Sequence, residues 1–211
     1  MTLVRKVIED AAIGVGVSNS AEGLSAIHHP GCAAAIWRRG MPPEVSETLA
    51  SIGPDSLPST RIILPPNSIR DAVDTACEGT EPDHRAALDW LSDDIAAMAE
   101  YFTRLMHPPY LRLRLEVITN NACRRFHIDA VTARLICTYR GTGTQYGIST
   151  DGAEPKRVFT VPTGAPIILR GTEWPSEPAS GLLHRSPPID GTGETRLLLV
   201  LDPVFDLDDA F

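Results

Sequence analysis

Cys123-Arg124-Arg125-Phe126-His127-Ile128-Asp129, with the apolar run Thr132-Ala133-Arg134-Leu135-Ile136-Cys137-Thr138-Tyr139 close behind it, decides how this chain is read. In an extended segment successive side chains point to opposite faces, so His127 and Asp129 leave on the same side. An imidazole and a carboxylate converging there are two ligands of a metal site, and His184, just before another apolar strand, is the candidate third. Two His and one carboxylate on one face of an octahedron suit non-haem Fe(II) and leave positions open for further ligands. Zinc on the same set, completed by a water, supports hydrolytic chemistry instead. The plainer alternative is a His127–Asp129 hydrogen bond that satisfies a buried histidine, with His184 an ordinary loop residue.

Outward from this stretch the texture changes twice. Leu111, Leu113, Leu115 and Val117 alternate with Arg112, Arg114 and Glu116, the pattern of a half-buried strand. Further strands are expected at Arg157 to Val161, Pro166 to Arg170, Leu182 to His184 and Arg196 to Asp202, separated by turn formers such as Gly141-Thr142-Gly143 and Pro162-Thr163-Gly164. Upstream, Leu88, Leu91, Ile95, Met98, Phe102 and Leu105 recur at three- and four-residue intervals, which predicts a helix from about Asp83 to Met106. Shorter helices are expected after Pro42-Pro43, through Ile52, and behind the capping residues Asn67 and Ser68, through Ala76. Short strands are expected at Ala33 to Trp37 and Arg61 to Leu64. Helices first and strands afterwards give an α+β chain: a mainly helical support region over residues 1–109 and a β-sandwich or barrel over 110–211, within one compact domain.

Composition narrows the partners. The chain has 211 residues, enough to bury a core without staples, and its four cysteines form no Cys-x-x-Cys pair. A net charge of −8 argues against non-specific nucleic-acid binding, which is dominated by cationic contacts to phosphate. Met1 to Asp10 mixes Arg5, Lys6, Glu9 and Asp10 into its apolar residues, unlike a signal peptide, and no stretch approaches the length of a membrane span. The expectation is a cytoplasmic protein with reduced thiols and no membrane partner. Gly141-x-Gly143-x-x-x-Gly147 reads as a flexible turn beside the site. The connection through Trp174 to His184 has the length of a lid or substrate loop.

His127-x-Asp129, Val158 to Arg170, Leu183-His184 and a terminal strand opened by Arg196 together resemble the double-stranded β-helix, or jelly roll, of Fe(II)- and 2-oxoglutarate-dependent dioxygenases. The resemblance implies that His127, Asp129 and His184 bind iron and that Arg196 pairs with the far carboxylate of 2-oxoglutarate. Arg134 and Arg140 on the preceding strand are rivals for that second role, with Thr138 and Tyr139 as hydrogen-bonding partners. It also implies N-terminal helices packed on one sheet, and oxidation of an unknown small-molecule or protein substrate. A non-catalytic, zinc-responsive protein on the same barrel is the competing reading. The phrases Arg125-Phe126-His127-x-Asp129, Cys137-Thr138-Tyr139-Arg140-Gly141-Thr142-Gly143-Thr144 and His184-Arg185-Ser186-Pro187 are similar to an uncharacterised bacterial family, domain of unknown function 1826.

Overall fold

Proline, glycine and side-chain size set the early elements of the computed structural model, which describes residues 11–208. Strand β1, Gly14–Ser18, runs parallel to β2, Cys32–Trp37, whose Ala33, Ala34 and Ala35 are fully buried. Helix α1, Pro43–Ser51, begins on a proline that pre-sets the backbone of the first turn. It is followed by β3, Thr60–Leu64, and by α2, Ile69–Ala76, where Ser68 occupies the cap position without a side-chain capping bond. Helix α3, Arg85–Met106, buries Leu88, Leu91, Ile95, Met98 and Phe102 as the predicted stripe and ends where His107 turns left-handed at φ 53°.

The remaining strands are β4, Tyr110–Ile118; β5, Ala133–Arg140; β6, Gln145–Ile148; β7, Phe159–Thr160; β8, Ile167–Arg170; β9, Leu182–Arg185; and β10, Arg196–Val204. Seven of the strands form one sheet in the order β1-β2-β8-β5-β10-β4-β3, and β7-β6-β9 form a second. Three strands from the first half of the chain therefore belong to the same sheet as the later ones, so that half does more than supply helices.

Strand β10 lies between β5 and β4 and is buried along its whole length, which explains the unbroken run Leu197 to Leu201. Its odd positions, Leu197, Leu199 and Leu201, join Leu113, Leu135 and Phe102 in the cluster that the helices share. Its even positions, Leu198 and Val200, join Ile136, Leu169 and Leu182 on the other face, where the smaller sheet contributes. Burying each such leucine stabilises the fold by about 1.5–3 kcal/mol.

Several boundaries differ from expectation. The strand expected at Arg157 to Val161 shortens to Phe159–Thr160. The turn expected around Gly147 is in part β6, whose Tyr146 pairs with His184. A 3-10 helix, Ala21–His28, and β1 lie in a stretch without periodicity. His127 sits in an isolated bridge rather than a continuous strand. The reading of Met1 to Asp10 falls outside the described residues, within which no helix is long and apolar enough to cross a membrane.

Candidate metal centre

The backbone brings the two histidines together. His127 and His184 form an antiparallel bridge in which each amide donates to the other's carbonyl at 3.0 Å, and their rings stand 4.6 Å apart. Asp129 follows on the loop into β5, and its carbonyl accepts from the Thr172 amide at 2.9 Å. Next to that contact Gly171 has no room for a side chain: a Cβ would lie 1.7 Å from the Val131 carbonyl oxygen.

One ligand atom from each of His127, Asp129 and His184 lies within 4.8 Å of the others. His184 Nε2 is 3.0 Å from Asp129 Oδ2, and His127 Nε2 is 3.4 Å from Oδ1. Despite that approach Asp129 Oδ2 is buried and makes no hydrogen bond of acceptable geometry. His127 Nδ1 is 2.8 Å from the Arg125 carbonyl oxygen. A carbonyl only accepts, so Nδ1 carries the proton and the Nε2 lone pair is free on the Asp129 side. An outer hydrogen bond that fixes the tautomer in this way is usual for metal-ligating histidines.

Arg134 fixes the carboxylate. Its Nε and Nη2 donate to the two oxygens of buried Asp202 at 2.6 and 2.8 Å, and its Nη1 pairs with Asp129 Oδ1. Burial opposes charge on Asp129, but His127, His184 and Arg134 outweigh it and hold the carboxyl well below the usual range. Burial lowers His184, favouring the neutral imidazole, while the neighbouring Asp129 carboxylate raises His127 by favouring its protonated form. The ionised carboxylate and the neutral His184 are forms a cation requires, and a cation would take the place of the proton that Asp129 favours on His127. A recess of about 100 Å³ opens beside the three, lined also by Arg114, Glu116, Thr144, Arg185 and Ser186.

Of the five residues expected to serve the co-substrate, Arg134, Thr138 and Arg196 share this side of the sheet. Arg196 is fully buried and donates to the Thr142 carbonyl at 2.7 Å, Ser186 Oγ at 3.3 Å and Thr138 Oγ1 at 3.4 Å. Burial pushes its guanidinium down to about 10. Glu194, two residues before Arg196, accepts from the Thr142 amide and hydroxyl at 2.6 and 3.0 Å. Tyr139 and Arg140 face the helices. The register between β10 and β5 slips between Leu197 and Leu198, so Leu198 stands opposite Thr138 while Leu197 stands opposite Arg140. This one-residue bulge turns Arg140 to the carbonyls of Leu49 and Ile52, and the Tyr139 hydroxyl donates to Asp94 at 2.6 Å. Arg134 is committed to its two carboxylates.

Cys137 is buried among the leucines that the helices share, away from the ligands, and burial pushes its thiol up to about 12. Sequence reasoning did not single out Asp202, Ser186 or Arg114. The alternation of Arg112, Arg114 and Glu116 was the available signal for the last, since it placed those side chains on one face.

Comparison with known proteins supplies the remaining context. The family described as "Protein of unknown function (DUF1826)" matches residues 18–202. The rice dioxygenase for auxin oxidation is similar in structure, with a TM-score of 0.53 at 13% identity over 93% of this chain and 84% of that one. The 2-oxoglutarate complex of dioxygenase for auxin oxidation 1 from Arabidopsis thaliana gives 0.50 at 12% identity over 93% and 94%. At these identities the likeness concerns the fold alone. No curated protein matches the chain.

Proposed function

The chain belongs to the DUF1826 family, and from that premise we propose that it is a non-haem Fe(II)- and 2-oxoglutarate-dependent dioxygenase on a double-stranded β-helix. The observation that carries the proposal is Asp129 Oδ2, a buried and unpartnered carboxylate oxygen lying beside the ring nitrogens of His127 and His184. An unsatisfied buried acceptor costs about 1–3 kcal/mol, which a cation would relieve. The likeness in fold to dioxygenases, one of them solved with 2-oxoglutarate, supports the same reading, as does the apolar cluster joining the two sheets.

On this reading His127, Asp129 and His184 hold Fe(II), which together with 2-oxoglutarate supplies the oxidising chemistry. Arg134 holds Asp129 Oδ1 so that Oδ2 keeps a fixed direction. Arg196 receives the far carboxylate of 2-oxoglutarate, because it is a buried cation with hydroxyl and carbonyl partners but no carboxylate within ion-pair distance among the described residues. A guanidinium fork fits a carboxylate in two-point fashion, and the neighbouring Thr138 and Ser186 hydroxyls add donors. The apolar side chains of Ile136, Leu198 and Val200 form part of the recess wall.

Adding 2-oxoglutarate to anaerobic protein loaded with Fe(II) is expected to produce a visible charge-transfer band that His127→Ala abolishes. If no band forms and His127→Ala leaves metal content unchanged, the proposal fails. Zinc retained under iron-replete conditions, with no succinate formed, would replace it with the non-catalytic reading.

A further inference from the structure

One face of the larger sheet holds more cations than the three ligands use, in a protein whose net charge is −8. Arg61 on β3 stands opposite Arg114 on β4, and Arg112 stands opposite Asp202 on β10. Three guanidinium groups surround the Asp202 carboxylate, which is 1% exposed. Arg134 takes both oxygens at 2.6 and 2.8 Å, Arg114 reaches one at 3.3 Å and Arg112 approaches to 4.0 Å. Arg114 is the least satisfied of these groups: its Nε is buried without a hydrogen-bond partner. Burial first, and Arg134 second, lower its guanidinium below the ordinary value. It also lines the recess that holds His127, Asp129 and His184. A half-buried cation with a buried, unbonded N–H is unfavourable until an anion completes its shell.

We propose that the substrate oxidised at this site is a small organic acid whose carboxylate binds Arg114 beside the metal ligands. The inference rests on the dioxygenase reading and adds the substrate class to it. Arg196 sits apart, against Ser186 and Thr138, so the two arginines serve different anions. The other charged groups lining the recess fit the assignment. Arg185 is engaged with Gln145 Oε1 at 2.9 Å and stacked on Phe126, while Arg134 is filled by Asp129 and Asp202. Glu116 lies two residues from Arg114 on the same strand and lines the same recess, where its charge opposes every anion and a polyanion most. The recess of about 100 Å³ favours a compact acid.

Equilibrium dialysis of butyrate against its uncharged isostere butyramide tests this, on metal-free and Fe(II)-loaded protein, with and without 2-oxoglutarate. Butyrate is expected to bind at least tenfold more tightly than butyramide, to remain bound at saturating 2-oxoglutarate, and to lose at least tenfold in Arg114→Gln. Arg114→Lys, which keeps the charge but not the fork, is expected to fall between. Equal binding of the two probes by the unsubstituted protein overturns the inference without recourse to any variant. So does displacement of butyrate by 2-oxoglutarate, or unchanged butyrate binding in Arg114→Gln. The charge-transfer band of the Fe(II)-loaded samples with 2-oxoglutarate decides the dioxygenase reading separately, while the metal-free arm still decides Arg114.

Discussion

Arg134 shows how one side chain serves fold and site together. Its Nε and Nη2 hold Asp202 across 68 residues of sequence, and its Nη1 holds Asp129. Arg134→Gln keeps some hydrogen bonding but removes the charge and the fork, so metal affinity is expected to fall about 10–100-fold, as for other partners of metal ligands. Competition with a chromophoric chelator measures it, and Asp202→Asn should move affinity in the same direction. Arg196→Met removes a buried cation without touching a ligand. Iron binding is then expected to persist while 2-oxoglutarate affinity drops by about 2–5 kcal/mol, roughly thirtyfold or more. A titration of the charge-transfer band reads both quantities. The pairing of His127 with Asp129 was legible because a two-residue spacing carries local geometry, and the fold brings His184 to within 4.8 Å of them. The Arg134–Asp202 pair was not legible, because nothing local links positions so far apart.

The elements that were legible were those with an unbroken period. The stripe of α3 and the alternation of β4 fixed both elements nearly to the residue. Strand β5 was legible as a strand, but its bulge was not. Alternation from Arg134 predicts Arg140 on the side of Thr138, and the extra residue reverses it. A bulge leaves no mark in hydropathy when both faces of the strand are buried. Strand β6 was hidden for a different reason, since Gln145, Tyr146 and Gly147 form no apolar pattern. Gly171 is the point where two elements constrain the ligand loop. Gly171→Ala would force the Val131 carbonyl away from its place, so the Asp129 loop is expected to shift and metal affinity to fall while α3 keeps its helical signal by circular dichroism. Leu199→Ala in β10, far from any ligand, should instead cost about 2–5 kcal/mol in a urea titration with metal affinity unchanged.

Across the whole molecule, a buried polar link ties the helices to the large sheet. Arg39, just beyond β2, donates to Asp94 of α3 at 2.5 and 2.6 Å, and the Tyr139 hydroxyl of β5 donates to the same carboxylate. Asp94→Ala would strand a largely buried guanidinium and a fully buried phenol, a loss of about 3–5 kcal/mol. Thermal unfolding should report it as a single lowered transition. The bridge between His127 and His184 has a further consequence, for the clock on which the centre opens. Because each amide donates to the other residue's carbonyl, the two protons are released to solvent by one event, the parting of residues 123–129 from β9. Hydrogen exchange at these two amides should therefore show one common protection factor, and a bound cation should slow both by the same factor.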